Sequence, residues 1–295
     1  MTFYLTLDVF TDARFTGNPL AVVPDASALA AEDFQRLARE FAYSETTFVL
    51  PPDDPANDAR VRIFTPAEEL PFAGHPNVGT AIALAVRGQV LGRPVGDVLR
   101  FEELAGLVEV RLRRGPPLVA EVRAPAPLSL GPSRSAAQAA ALAGLPGAAI
   151  LATAGAPRYA SVGTGFLLAE TDPANLDRAV PDLAAFAEER ARLAGDDIGR
   201  TLPALFLWAR TAEAGDPLAI RARMFAPLSG VQEDPATGSA SAALGAFLAH
   251  LGQASRLSIS QGEAMGRPSR IEVRTDATGT WISGSAVPVF EGRIL

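Results

Sequence analysis

The sequence predicts mixed α and β structure built from two copies of one unit, and three observations carry that expectation. Short β-rich runs alternate with helices of small residues along the 295 positions. Each half contains the same succession of strand, loop, helix and strand pair. Between them lies RAPAPLSLGPSR (123–134), a proline-rich stretch that reads as a connector.

In the first half, YLTLDVF (4–10), LAVV (20–23), TTFVL (46–50) and ARVRIF (59–64) have the β-branched and aromatic character of strands. LAAEDFQRLAREF (29–41) reads as a helix. It places Leu29, Phe34, Leu37 and Phe41 near one face, a stripe suited to a core rather than a site. After the connector, SAAQ (135–138) offers a capping-box start to another helix. Strands then recur at GFLLAE (165–170), ALFLWAR (204–210), AIRARMF (219–225), RLSIS (256–260) and SRIEVRT (269–275).

The internal repeat is legible position by position. VRIFTP (61–66) leads to HPNVGTAIALAVRG (75–88), and ARMFAP (222–227) leads to DPATGSASAALGAFLAHLG (234–252). His75 falls with Asp234, Pro76 with Pro235, Gly79 with Gly238, Thr80 with Ser239 and Ala81 with Ala240. Each helix closes on a glycine, Gly88 or Gly252, suited to a left-handed C-cap. LRFEELAGLVEVRL (99–112) then matches LSISQGEAMGRPSRIEVR (257–274). Two such units facing each other across a pseudo-dyad would bring two helix starts to a cleft between them.

Composition narrows the chemistry. The net charge is −7, with no basic stripe, so nucleic acid is not an expected partner. No run reaches the roughly 18 apolar residues of a membrane span, and MTFYLTLDVF goes straight into a strand pattern without a signal peptide, so a cytoplasmic location is expected. There is no Cys, which excludes thiol nucleophiles and thiol acid/base pairs. All 26 cations are Arg, which excludes a lysine Schiff base and a P-loop lysine. The two histidines, His75 and His250, cannot build a multi-histidine metal site. No metal and no organic cofactor is called for.

Helix starts carry amides without intrahelical partners and a partial positive charge, and small residues such as Gly74 and Gly238 permit close approach, so a carboxylate-bearing ligand is the natural occupant. Asp234 has two readings: an N-cap followed by Pro at the first helical position, or a group facing a substrate. His75 at the matching position is a poor cap, which favours the second reading for the pair. Glu45, in FAYSETTFVL, has no counterpart in ASVGTGFLLAE of the second half. An acid held there among apolar neighbours would have a raised pKa and could move protons near neutrality; a solvent-facing acid at a strand start is the alternative. Glu68 and Glu69 read as loop acids, His250 as a helix C-terminal group, Asp12 and Arg14 as turn residues, and Trp208 and Trp281 as packing residues. Arg267 is equally readable as an anion contact or a salt-bridge member.

Five blocks, LDVFTDARFTGNPLAVV, SETTFVLPP, RIFTPAEELPFAGHPNVGTA, EDPATGSASAALGAFL and QGEAMGRPSRI, closely resemble the PhzF-like, or phenazine-biosynthesis-protein, family over nearly the full chain and in the same order. The resemblance implies an α+β fold of diaminopimelate-epimerase type, with two pseudo-symmetric domains, each a curved or barrel-like sheet around a central helix. The domains expected are 1–124 with 284–295, and 125–283. It also implies a cofactor-independent isomerase, commonly homodimeric, that takes a proton from a small carboxylate-bearing, unsaturated or cyclic substrate and returns it. By that resemblance Glu45 matches the catalytic acid/base. His75, Asp234 and Ser239 match polar groups lining the substrate site, and Gly74 matches a backbone contact. Related two-thiol racemases are excluded by the absence of Cys. The alternatives are a non-catalytic small-molecule-binding protein of the same fold, or an epimerase of an amino-acid derivative that uses Glu, His and Asp in place of thiols.

Overall fold

The structure, a computed structural model, describes residues 1–194, 202–211 and 214–295. It is α+β, as expected, and forms two compact units, Met1–Pro125 with Ile282–Leu295, and Ala126–Trp281. The first unit runs β1 (Thr2–Val9), β2 (Asn18–Val23), α1 (Ala31–Phe41), β3 (Glu45–Leu50), β4 (Ala59–Phe64), β5 (Glu69–Leu70), α2 (Gly74–Arg87), β6 (Gln89–Val90), β7 (Arg93–Pro94), β8 (Val98–Glu103), β9 (Gly106–Arg113) and β10 (Val119–Arg123). The second runs β11 (Ser129–Ser133), α3 (Ala136–Leu142), β12 (Ile150–Leu151), β13 (Arg158–Ser161), β14 (Gly165–Thr171), α4 (Pro173–Arg178), α5 (Leu183–Arg192), β15 (Leu205–Arg210), β16 (Leu218–Ala226), β17 (Val231–Asp234), α6 (Gly238–His250), β18 (Arg256–Gln261) and β19 (Ser269–Asp276). Strand β20 (Gly279–Ile294) begins in the second unit and ends in the first.

In the first unit the strands close a ring. β1 pairs with β2, then β3, β4, β8, β9, β10 and β20 follow, and β20 returns to β1. The ring encloses α2, whose residues from Gly74 to Leu84 are all buried. That enclosure explains why GHPNVGTAIALAVR carries no polar face: a helix surrounded by sheet is apolar all round. α1 lies against β3 and β4 instead, and so has one apolar stripe. Phe34 stacks on Phe48 with ring centroids 4.5 Å apart, while Leu37 and Leu29 pack at the margin of the same cluster.

The second unit repeats the plan around α6. Its sheet runs β11, β13, β14, β15, β16, β18, β19 and β20, and α6 packs on β13, β14, β18 and β19. The proline-rich stretch is not a connector throughout. Its second half is β11, because Ser129 and Leu130 pair with Ser161 and Ala160 of β13. The capping box is formed: Ser135 Oγ accepts from Gln138 N, and Gln138 Oε1 accepts from Ser135 N. Gly88 (φ 72°) and Gly252 (φ 69°) both take the left-handed conformation expected of them. At Gly252 the amides of Gly252 and Gln253 reach back to the carbonyls of Ala249 and Leu248, the two bonds of a Schellman motif.

Glycine inside α2 sets how near the helix comes to its wall. A Cβ at Gly79 would stand 2.5 Å from Leu20 Cδ2 and 2.8 Å from Val9 Cγ2, and both neighbours are fully buried. Gly79→Val is therefore expected to lower stability by about 1–3 kcal/mol through overpacking, read as a fall in Tm and in the urea midpoint. An unchanged midpoint would mean that α2 can move off β1 and β2 at no cost.

Candidate functional site

In the first unit, three features bring Glu45 and His75 together. α1 ends on Ala42 in the left-handed conformation (φ 54°), which turns the chain so that Glu45 becomes the first residue of β3. Parallel pairing sets Glu45 opposite Leu20 of β2. His75 is the second residue of α2, inside the ring, and 5% exposed. Its Nε2 lies 3.3 Å from Glu45 Oε2.

The protonation of His75 follows from its surroundings. Burial pushes the imidazole down to about 3, against a smaller upward influence from a hydrogen bond to the Pro19 backbone. Proline has no N–H, so the ring must donate to the Pro19 carbonyl. Nε2 faces Glu45, so the donor is Nδ1. At neutral pH the ring is uncharged and its Nε2 is an acceptor. The contact with Glu45 is thus not an ion pair. It is a hydrogen bond when the Glu45 carboxyl carries a proton, and two facing lone pairs when it does not.

Glu69, which precedes α2, is occupied elsewhere. Its two oxygens accept from Arg62 Nε and Nη2 at 2.7 and 2.8 Å. The second unit has the same device at the matching place, where Glu233 accepts from Arg223 at 2.8 and 2.7 Å. Both acids hold an arginine of the neighbouring strand, and Glu69 lies in the short strand β5 rather than in the loop expected for it, because it pairs with Phe64 of β4.

In the second unit Asp234 is not an N-cap, and Pro235 is not the first helical residue. Asp234 ends β17, and α6 begins at Gly238 after Thr237. The carbonyls that would open a longer helix are taken by side chains: Gln261 Nε2 donates to Asp234 O at 2.8 Å, and Ser269 Oγ donates to Pro235 O at 2.9 Å. With those acceptors occupied, the helix starts one turn later than α2 does. The Asp234 carboxylate accepts instead from Thr237 Oγ1 at 2.5 Å, and Gln261 Oε1 accepts from Thr237 N at 3.1 Å. Asp234 is 7% exposed. Gly238 is buried, and Ser239, the second residue of α6, is half-buried.

Sequence reasoning missed Pro19, Gln261 and Ser269, which hold the polar residues in place. Gln261 and Ser269 do lie in QGEAMGRPS, a conspicuous block, yet nothing in it announces bonds to a loop 24 and 34 positions earlier. The residues assigned to packing and turns behave so. Trp208 and Trp281 are buried, at 1% and 3% exposure, and Arg14 Nε donates to the Pro288 carbonyl. Among the described residues, no helix is long and apolar enough to cross a membrane.

Comparison with known proteins agrees with this architecture. The family model for phenazine biosynthesis-like proteins matches residues 7–292. A trans-2,3-dihydro-3-hydroxyanthranilate isomerase of Pseudomonas aeruginosa is 37% identical, the alignment covering 98% of each chain. An uncharacterized isomerase of Mesorhizobium japonicum is also 37% identical, over 99% of this chain and 98% of its own. A crystal structure of a PhzF-family protein of Bacillus anthracis, 24% identical, superposes with a TM-score of 0.85 over 100% of this chain and 99% of that one, which speaks to the fold. The chain belongs to the phenazine biosynthesis-like (PhzF) family and is an isomerase.

Proposed function

We propose that this isomerase works without a cofactor, by taking a proton from one carbon of a small, unsaturated or cyclic carboxylate and returning it at another. The observation that carries the reading is the Glu45 carboxyl set 3.3 Å from the Nε2 of a neutral, buried His75. Such a reaction breaks one C–H bond, moves a double bond and makes another C–H bond, so it needs no electron acceptor. Glu45 is the base and then the acid. In the half of the cycle when Glu45 holds the proton, His75 Nε2 accepts it in a hydrogen bond, which fixes the carboxyl for the return step. The Pro19 carbonyl keeps the ring in the tautomer that permits this.

The substrate class has two supports. The Pseudomonas aeruginosa relative is named for a dihydro-hydroxyanthranilate, a cyclic unsaturated carboxylate. The first residues of α2 and α6, with Gly74 and Gly238 leading, offer helix-start amides of the kind that hold anionic groups. In this reading Gly74, Gly238 and Ser239 bind substrate, while Asp234, held by Thr237 and Gln261, orients a polar substituent or assists the proton transfer. With no Cys and no Lys, the chain has few other groups for proton transfer at carbon.

Glu45→Gln is expected to cut turnover by about 10²–10⁴, the usual contribution of a well-placed acid/base, while ligand affinity changes by a small factor. The assay is incubation with candidate unsaturated and amino acids in heavy water, followed by mass and proton spectra. Deuterium at a new C–H together with a moved double bond supports isomerisation. Deuterium at an inverted stereocentre with no double-bond shift would replace the reading with epimerisation, and a Glu45→Gln protein of near-normal turnover would remove Glu45 from its role.

His75 gives a second expectation, on stability. Its folded value, about 3, lies below the ordinary 6.5. The unfolded chain therefore binds the extra proton first as pH falls. The stability tied to this ring is fully present above pH 6.5 and is lost progressively down to pH 3. Wild-type Tm should fall more steeply than that of His75→Gln across this window. In nitrogen NMR the His75 ring should show no protonation step between pH 5 and 7; a midpoint near 6.5 would contradict a neutral buried ring.

A further inference from the structure

Glu103, the last residue of β8, has no part in the chemistry above. The turn it leads into reaches solvent, but both carboxyl oxygens are buried without a formed hydrogen bond. Its neighbour is Asn77, on the first turn of α2, fully buried, whose Oδ1 likewise lacks a partner. Asn77 Nδ2 donates to the Ala73 carbonyl at 3.0 Å, a bond that fastens the first turn to the residue preceding it and fixes which end of the amide is nitrogen. Three buried polar atoms without partners thus meet at the foot of the turn that presents His75.

One proton resolves all three. A neutral carboxyl can donate its O–H to an amide oxygen and accept from an amide N–H, a matched acid–amide pair. A carboxylate can only accept, and it leaves Asn77 Oδ1 facing a negative charge. The internal repeat shows the same answer reached with different chemistry. Aligning Leu99 with Leu257 sets Glu103 at the position of Gln261. Gln261 is 1% exposed and uses both ends of its amide on the turn before α6: it donates to Asp234 O and Thr237 Oγ1 and accepts from Thr237 N. A protonated Glu has the same shape as Gln, with one donor and one acceptor at its tip.

We propose that Glu103 is a positioning residue, which donates a hydrogen bond to Asn77 and so fixes the first turn of α2 and the His75 it carries. Burial supports a proton on Glu103 at neutral pH, raising the carboxyl to about 8 against a smaller downward influence of Asn77. Acidic groups of the elements around it are engaged elsewhere. On β8, Glu102 accepts from the amides of Asp53 and Asp54 and from Asn57 Nδ2; on β9, Glu109 pairs with Arg111; ahead of α2, Glu69 pairs with Arg62. His75 on α2 is neutral, and no charged side chain is among the influences on Glu103. Once Glu103 ionises, Asn77 Oδ1 loses its donor and faces a carboxylate oxygen, and the repulsion bears on the amide that fastens the turn to Ala73 O. The claim concerns the helix turn itself and holds whichever substrate the site takes.

The test uses the full chain with isotope-labelled histidine, where only His75 and His250 contribute ring signals. In the wild type the His75 signals are expected to shift between pH 7 and 9, although the ring itself gains no proton there. E103Q should hold the low-pH spectrum across that range, because Gln supplies the same donor and acceptor permanently. E103L, which supplies neither, should be displaced at every pH. Tm gives the second reading. The folded chain keeps a proton on Glu103 that the unfolded chain has lost above about pH 4.5, so the wild type should lose Tm relative to E103Q from there up to pH 8, then run parallel to it. A His75 spectrum flat through pH 8 in the wild type, the same step surviving in E103Q, or an E103Q protein that does not fold would each overturn the proposal.

Discussion

Enclosing a helix within a ring of strands buries its first turn, and the unmet polar groups of that turn must find partners where water does not reach. The rest of the site follows from this constraint. A buried donor or acceptor left without a partner costs about 1–3 kcal/mol, so the sequence must supply side chains or carbonyls at defined places around the helix start. Pro19 O takes the Nδ1 proton of His75, Ala73 O takes one from Asn77, and Thr80 of α2 bonds Thr47 of β3 at 2.8 Å. The same enclosure removes the positive charge from His75, so its contact with Glu45 is not an ion pair.

The two units answer one constraint with different residues, and the differences lie where chemistry is proposed. Around α6, Gln261 and Ser269 bind the carbonyls of Asp234 and Pro235, which delays the helix and leaves Asp234 on an extended strand end. Around α2 the helix runs one turn further back, and His75 becomes part of it. Arg62 with Glu69 and Arg223 with Glu233 remain alike in both units, down to the guanidinium lying over Phe64 or Phe225. A duplicated unit can thus keep its structural ion pair and still present an imidazole in one copy and a carboxylate in the other.

Much of the fold was legible because it rests on local signals. Residues 59–64 read as a strand from ARVRIF alone, the capping box at Ser135 and Gln138 was visible as SAAQ, and Gly88 and Gly252 marked their helix ends. The polar architecture of the site was less so. Asp234 before Pro235 has the local pattern of a cap, and a local reading must take it for one. What overrides it is Gln261 and Ser269, brought alongside by the pairing of β18 and β19. The Pro19 carbonyl carries no side-chain signature at all. β11 hid in the proline-rich stretch because its pairing with β13 depends on a strand nearly thirty residues on. Residues that act through the backbone, or across a sheet, leave no spacing to read.

In the proposed reaction the Glu45 carboxyl must hold and release a proton with comparable ease, and its surroundings bear on that balance from both sides. Neutral Nε2 of His75 favours the protonated carboxyl, because only then is there a hydrogen to accept. Were the imidazole charged, it would favour the carboxylate strongly and the proton would not return readily to carbon. Keeping the ring neutral therefore matters as much as keeping it close. Burial alone would achieve neutrality yet leave the tautomer open; the Pro19 carbonyl closes that choice by occupying Nδ1. The strand that carries Pro19 is also the one that pairs with β3 at Glu45. One pair of parallel strands thus sets the position of the acid and the tautomer of its partner, and a shift in their register would disturb both at once.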